Sequence, residues 1–150
     1  MICDDAFCPF CREDGGILLY RDDLCRVVLT DEPFPGFCRL IWNRHVAEFS
    51  DLSAAERSHC TDMLFVVERA LRALLSPVKM NIASLGNVVP HLHWHLIPRF
   101  VDDSHYPQPV WGKAVRASSQ TVLPSQFIDR LKKAIMTELD EIPTGKTKES

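Results

Sequence analysis

Ten residues from Pro90 to Arg99, with the sequence PHLHWHLIPR, decide how the rest of the chain is arranged. Histidines at positions 91, 93 and 95 alternate there with apolar residues. Successive side chains of a β-strand point to opposite faces, so the alternation predicts a strand with three imidazoles on one face and Leu92, Trp94 and Leu96 against a core. A lone histidine at such a position is usually a satisfied core residue. Three in register indicate chemistry, because burying polar groups without partners costs free energy.

Two kinds of site need neighbouring imidazoles at this spacing. In one, the histidines bind zinc, and a water in its open coordination position attacks the substrate. In the other, one neutral imidazole attacks phosphorus and forms a phosphoramidate that water then cleaves. The ordinary histidine pKa of about 6.5 supplies a neutral ring at physiological pH. The turn at Gly86-Asn87 favours phosphate chemistry, because glycine lets backbone N–H groups approach a phosphate, but both interpretations stay open at this point.

Length and composition bound the classes of protein to which the chain can belong. Its 150 residues, 46% of them hydrophobic, predict one domain over residues 1–150. The formal net charge of −3 provides no broad basic surface, so we expect a small ligand and no nucleic acid polymer as partner. Without a secretory signal or an apolar run of about 20 residues, we expect a cytoplasmic protein with no membrane partner. The six cysteines are then read as reduced thiols or metal ligands.

The pattern of the remaining chain predicts strands and two helices around the histidine stretch. A capping box at Ser53-Ala54-Ala55-Glu56 begins the main helix, and Ser76-Pro77 ends it. Residues 125–142 are periodic enough for a C-terminal helix, followed by a frayed tail at 144–150. Residues 78–85 are predicted to pair with the histidine strand. The other predicted strands cover residues 17–20, 24–29 and 37–42.

The seven residues from His91 to Ile97 fit the motif His-φ-His-φ-His-φ-φ, in which φ is apolar, at every position. The chain therefore resembles the histidine-triad (HIT) superfamily of nucleotide hydrolases and transferases. Further residues fall where that family's pattern expects similar ones: Pro35-Gly36, Asn43 to Val46, Asp51 to Ser53, Asn81, Gly86 and Ile97 to Arg99. The resemblance implies an α+β fold with a core over residues 8–112. This fold has an antiparallel sheet of about five strands, a main helix and a C-terminal helix, and the family is usually homodimeric.

The resemblance also implies a reaction and roles for individual residues. The substrate is a dinucleoside polyphosphate or a nucleoside phosphoramidate, cleaved at the α-phosphate through a nucleotidyl-histidine intermediate. By position, His93 is the nucleophile, His95 contacts the α-phosphate and assists the leaving group, and His91 belongs to the orienting network. Residues implied to contact the nucleotide are Asp31, Asn81, Gly86 and Asn87. The chain departs from the family at Phe37, where a fourth histidine is common.

Some members of the superfamily carry a structural zinc, and residues matching its ligands occur here. They are Cys8 and Cys11 of an N-terminal Cys-x-x-Cys, together with His45 and His91. Four protein ligands close the coordination sphere, so such a site is structural. No organic cofactor is implied. Two alternatives remain: a hydrolase whose zinc is bound by the histidine triad itself, and a nucleotide-binding protein with vestigial catalysis, which Phe37 makes plausible.

Overall fold

The computed structural model describes residues 5–118 and 121–143, and within them five strands form one antiparallel sheet in the order β1-β2-β3-β5-β4. The predicted α+β fold with about five strands is confirmed. The strands are β1 Ile17–Arg21, β2 Cys25–Leu29, β3 Cys38–Trp42, β4 Lys79–Ala83 and β5 His93–Arg99. The helices are α1 Pro9–Arg12, α2 Ala54–Leu75 and α3 Phe127–Glu141, with a 3₁₀ turn at Phe49–Asp51.

The two faces of the sheet have different chemistry because side chains alternate along each strand. One face packs against α2 and α3 and carries the main apolar core. Buried residues of this core include Val27, Leu40 and Leu96 from the sheet, Met63, Val67 and Leu71 from α2, and Leu131 and Ile135 from α3. Positions that alternate with these sheet residues place Arg26, Arg39, His93 and His95 on the opposite face. The fold therefore places these polar side chains together on the face opposite the main core, which we call the polar face.

Helix α2 begins and ends where the sequence predicts. The Ser53 side chain accepts a hydrogen bond from the Glu56 N–H, and the Glu56 carboxylate accepts one from the Ser53 N–H. Ser76 adopts a left-handed conformation with φ of 46°, and Pro77 follows it. The predicted pairing of the strand after this helix with the histidine strand is also confirmed, since β4 pairs with β5.

The ends of two other elements differ from the sequence prediction. Strand β5 begins at His93. The Leu92 carbonyl still accepts from the Trp42 N–H of β3, but the Leu92 N–H leaves the sheet and donates to the Val46 carbonyl. Helix α3 begins at Phe127 because Gln126, with φ of 56°, turns the chain before the first helical residue. The four-residue helix α1 is too short to show a periodic pattern, and the sequence did not predict it.

Two expectations concern the chain as a whole. Among the described residues, no helix combines the length and the apolar character needed to cross a bilayer. A single domain over residues 1–150 stays a prediction, and the tail expected to fray at 144–150 lies outside the described residues.

Candidate functional site

A cavity of about 530 Å³ lies over the polar face of the sheet. The sheet contributes His93 and His95 from β5 and Arg39 from β3, and the turn between β4 and β5 contributes Gly86 and Asn87. Gly86 has a φ of 70°, a conformation that glycine adopts without strain. Two aromatic rings, Phe10 and Trp111, stand among the remaining walls. The cavity thus joins the imidazoles to a glycine turn suited to binding phosphate.

His93 is held in one tautomer. Its Nδ1 lies 2.7 Å from the His91 carbonyl oxygen, which can only accept a hydrogen bond, so the proton resides on Nδ1. The lone pair is therefore on Nε2, in a ring that lines the cavity and is only 6% exposed. Burial lowers the pKa of His93, with a smaller contribution from the Arg39 charge. His93 has the protonation state that a nucleophilic imidazole needs.

His95 lies beside His93 in largely apolar surroundings. Its ring contacts the edges of Phe37 and Trp111, with centroid separations of 5.7 Å and 5.0 Å. Phe37 thus occupies the place where the family commonly has a fourth histidine, and the His95 Nδ1 is buried without a partner among the described residues. Burial, followed by the charges of His93 and Arg39, lowers the His95 pKa to about 4. Both cavity imidazoles are consequently neutral at pH 7.

The His91 side chain is directed to a different cluster of residues. Its Nε2–H donates to the Trp42 carbonyl, which leaves the lone pair on Nδ1. That atom lies 3.3 Å from the Cys8 sulfur, 3.5 Å from the Cys11 sulfur and 3.2 Å from the His45 Nδ1. His91 is fully buried and precedes β5, while its carbonyl holds His93 in place. It therefore supports the cavity through its backbone rather than lining it.

The predicted zinc ligands come together. Ligand atoms of Cys8, Cys11, His45 and His91 all lie within 4.8 Å of one another. Two sulfurs and two imidazole nitrogens form a donor set that suits tetrahedral zinc. Cys11 takes part in a disulfide in this structure, so its sulfur becomes a metal ligand only after reduction. The four residues fit a structural zinc in the reduced protein.

The residues predicted to contact the nucleotide separate into two pairs. Gly86 and Asn87 line the cavity. Asn81 and Asp31 are not among the described residues that line it. The Asn81 side-chain oxygen accepts a hydrogen bond of 2.8 Å from Arg99, and Asp31 is exposed beside a separate loop. No structural observation tests the roles of these four residues, which stay predictions.

Arg39 and Phe10 are among the cavity residues that sequence reasoning missed. Arg39 interrupts the apolar strand β3 on the same face as His95, and the two are paired across the sheet. This alternation was available as a signal. The Phe10 ring packs edge-on against His93 with a centroid separation of 4.8 Å. Nothing in the local sequence indicated that contact, because the fold brings residues 10 and 93 together from distant parts of the chain.

The segment that carries Phe10 is fastened to the sheet by Arg26 of β2. The Arg26 guanidinium donates to the carbonyls of Phe10, Glu13 and Asp14 at 2.6, 3.0 and 2.9 Å. Arg26 is only 4% exposed, and burial lowers its pKa. This buried arginine fixes the position of one wall of the cavity.

A second group of potential metal ligands, Asp22, Cys25 and His59, has a structural explanation. One Asp22 oxygen accepts hydrogen bonds from the backbone N–H groups of Leu24 and Cys25. The other lies 2.6 Å from the His59 Nε2. The group links the β1–β2 turn to α2.

Comparisons with known proteins place these features in context. The family model described as "HIT domain" matches residues 12–102. A curated relative from Mycobacterium tuberculosis, "AP-4-A phosphorylase", is 25% identical over 114 residues. The match covers 71% of this chain and only 58% of that relative's length.

Solved structures with the same fold include other histidine triad proteins. A histidine triad protein from Bradyrhizobium japonicum has 30% identity and a TM-score of 0.68, covering 81% of this chain and 92% of its own. A zinc-bound histidine triad family protein from Mycobacterium smegmatis has 21% identity and a TM-score of 0.57, covering 83% and 86%.

Proposed function

Because this chain belongs to the HIT domain family, we propose that it cleaves a dinucleoside polyphosphate or a nucleoside phosphoramidate at the α-phosphate, with His93 as the nucleophile. The observation that carries the proposal is the hydrogen bond from the His93 Nδ1–H to the His91 carbonyl, which reserves the Nε2 lone pair in a cavity of substrate size. The relative described as AP-4-A phosphorylase supports nucleotide-processing chemistry in general, but not a particular substrate or reaction.

The reaction proceeds in two displacements at phosphorus. In the first, the His93 Nε2 lone pair forms a P–N bond while the bond from phosphorus to the leaving group breaks. A polyphosphate departs with that electron pair, and an amine departs with the pair and a proton taken up from solvent. In the second, water attacks the same phosphorus, the P–N bond breaks, and a nucleoside monophosphate leaves. The nitrogen lone pair returns to His93, and the proton released from water passes to solvent. Overall, one water is consumed for each bond cleaved.

His95 and the Gly86-Asn87 turn assist both displacements by contacting the phosphate or the leaving group. His95 lines the cavity beside His93, so its ring is available to a phosphate oxygen or to the leaving group. Backbone N–H groups at Gly86 and Asn87 offer donors to the same phosphate. The His91 carbonyl keeps His93 in the reactive tautomer in both displacements.

Phosphate in place of water is a second candidate acceptor, which the phosphorylase relative favours. Both acceptors use the same His93 adduct and differ only in the second displacement. With diadenosine tetraphosphate, attack by water yields AMP and attack by phosphate yields ADP, each after release of ATP. Product analysis with and without added phosphate distinguishes the two.

A hydrolase with zinc bound by the triad is less well supported by the geometry. The His91 Nδ1 is directed towards Cys8, and the His93 Nδ1 is bonded to a carbonyl, so the three rings do not converge on one point. Neither group of potential metal ligands found among the described residues includes His93 or His95.

The proposal is tested by substituting His93→Ala. We expect the variant to lose turnover of both substrate classes because no other described imidazole of the cavity has its lone pair fixed by a backbone carbonyl. His105→Ala is the matched control: His105 lies in the loop after β5, outside the lining of the cavity, and this variant should keep wild-type turnover. Full activity in His93→Ala contradicts the proposal. Nucleotide binding by the wild type without turnover of either substrate class indicates vestigial catalysis.

We further propose that the reduced chain holds a structural zinc through Cys8, Cys11, His45 and His91, a proposal supported by their mutual distances and by a zinc-bound family member. Such an ion joins the N-terminal segment to the residue that supports His93. The homodimer, which the family resemblance supports, and the cytoplasmic location also stay proposals.

A further inference from the structure

Arg39 is the one charged side chain among the described residues that line the cavity. It lies on β3 directly across from His95 on β5. Both neighbouring imidazoles are neutral at pH 7, because burial lowers their pKa values. Among the described residues that line the cavity, Arg39 is thus the one fixed positive charge and none is a carboxylate, since its ion-pair partner Glu32 lies outside the lining.

The hydrogen bonds of the partly buried Arg39 are long compared with those of the buried Arg99. Its Nη1 lies 3.5 Å from the Gly15 carbonyl and its Nη2 3.4 Å from a Glu32 oxygen, although such bonds are commonest near 2.9–3.0 Å. Its Nε is buried without a partner in the described part of the chain. By contrast, Arg99 makes four bonds of 2.8–3.0 Å. The donors of Arg39 are thus weakly used within the protein.

A second unpartnered polar group lies next to this guanidinium. His95 is 7% exposed, lines the same cavity and has a buried Nδ1 with no partner among the described residues. Buried polar atoms are rarely left without hydrogen bonds, and where they are, a missing ligand is one explanation. Arg39 and His95 together mark a position for a group rich in acceptor oxygens.

We propose that the Arg39 guanidinium binds a phosphoryl group of the leaving portion of the substrate, so that the site selects polyphosphate over amine leaving groups. This inference rests on the proposed function and names its substrate class. The α-phosphate carries one negative charge. A departing polyphosphate carries several charges, and Arg39 is the lining cation that compensates them. The planar guanidinium also matches two phosphate oxygens at once.

The test compares kcat/KM for diadenosine tetraphosphate and adenosine 5′-phosphoramidate. Arg39→Met should lower the value for the tetraphosphate on the order of 10- to 100-fold, the range for losing a charged hydrogen-bonding partner. The value for the phosphoramidate should change by less than about threefold, because its leaving group carries no phosphate. Arg39→Lys keeps the charge but not the planar fork, so its kcat/KM for the tetraphosphate should lie between the values of wild type and Arg39→Met.

Arg21→Met is the matched control, since Arg21 is a half-exposed arginine of β1 outside the cavity lining. It removes the same charge from the chain, and we expect both kcat/KM values to stay at the wild-type level. An equal loss on both substrates in Arg39→Met, or no loss on the tetraphosphate, overturns the inference.

A binding measurement separates this inference from the proposed function. Inorganic tripolyphosphate, titrated calorimetrically, should bind wild type at least tenfold more tightly than Arg39→Met, while Arg21→Met should match wild type. If wild type turns over neither substrate, the proposed function fails, and this titration decides the role of Arg39. Equal tripolyphosphate affinity of wild type and both Arg39 variants contradicts the role. If Arg39→Met does not fold, the tripolyphosphate affinities of wild type and Arg39→Lys are compared instead.

Discussion

At the scale of single residues, Phe37 changes the environment of His95. The aromatic ring stands edge-on to the imidazole where the family commonly has a histidine. It can neither donate to nor accept from the His95 Nδ1, which is left without a partner among the described residues. Apolar contacts on this side help to explain why the pKa of His95 falls to about 4.

This pKa predicts a contribution of His95 to the pH dependence of folding. The unfolded chain takes up a proton near pH 6.5, whereas folded His95 resists it down to about pH 4, so its contribution is complete above pH 6.5 and is lost as pH falls. Between pH 7 and pH 4 the free energy of unfolding of the wild type should fall by on the order of 3 kcal/mol more than that of His95→Gln. Urea unfolding at the two pH values measures the difference.

The same experiment contains its control. His91 and His93 are present in both proteins, so the difference between wild type and variant isolates His95. His105→Gln, which removes an imidazole outside the cavity lining, should follow the wild-type curve. If the free energy of unfolding falls equally in wild type and His95→Gln between pH 7 and pH 4, the pKa of folded His95 is not lowered.

Sequence alone predicted the imidazoles and the glycine turn of the cavity better than its other walls. The alternation of three histidines was enough to predict His93, His95 and the nearby glycine turn as one site, and the structure brings them together in one cavity. Phe10 and Trp111 could not be assigned as walls, because their contacts with the imidazoles join segments far apart in sequence. Arg39 was detectable in principle from strand alternation, but a single arginine in a strand does not by itself indicate a ligand.

At the scale of elements, local signals explain where prediction succeeded. The capping box of α2 is specified by residues three apart, so its start was predictable. The start of β5 was not, because the Leu92 N–H is diverted to Val46, a long-range contact. Likewise α1 is held in place by the side chain of Arg26 on β2, and its own four residues carry no periodic pattern that could have predicted it.

Arg26 should therefore contribute strongly to stability. Arg26→Met leaves three carbonyls of the N-terminal segment without their donor, and we expect a loss of about 2–4 kcal/mol in the free energy of unfolding. Arg21→Met, on the adjacent strand, removes a half-exposed arginine and should cost at most about 1 kcal/mol. Urea titration of both variants measures these values. Equal losses for the two would show that Arg26 does not anchor the segment.

At the scale of the whole molecule, two distant parts of the chain cover the polar face of the sheet. Arg26 fastens the N-terminal segment, and Arg99 fastens the loop after β5 by bonding to Asp103 and the Gln108 carbonyl. Arg99 and Asp103 are both almost fully buried, which makes this ion pair part of the interior. Family resemblance predicted the sheet and its helices, but these covering segments depend on side-chain contacts that no local pattern encodes.

A structural zinc would tie the N-terminal segment to His45 and to His91, which precedes β5. After reduction, the chain should bind close to one zinc, and a chelator should lower Tm by about 5–10 °C, as expected when a tightly bound ligand is removed. Cys8→Ser should abolish both the zinc content and the chelator effect. Cys60→Ala, which removes a buried cysteine outside the cluster, should keep both. Absence of zinc from the reduced wild type contradicts the proposal.

The central claim is that the His93 Nε2 forms a covalent bond to the α-phosphorus, and trapping that adduct tests it most directly. Protein mixed with diadenosine tetraphosphate is quenched in alkali, since P–N bonds are acid-labile, and analysed by intact mass and peptide mapping. The account predicts one added nucleoside monophosphate on His93 that acid removes and that His93→Ala never acquires. Turnover with the adduct on another residue, or undiminished turnover by His93→Ala, would contradict it.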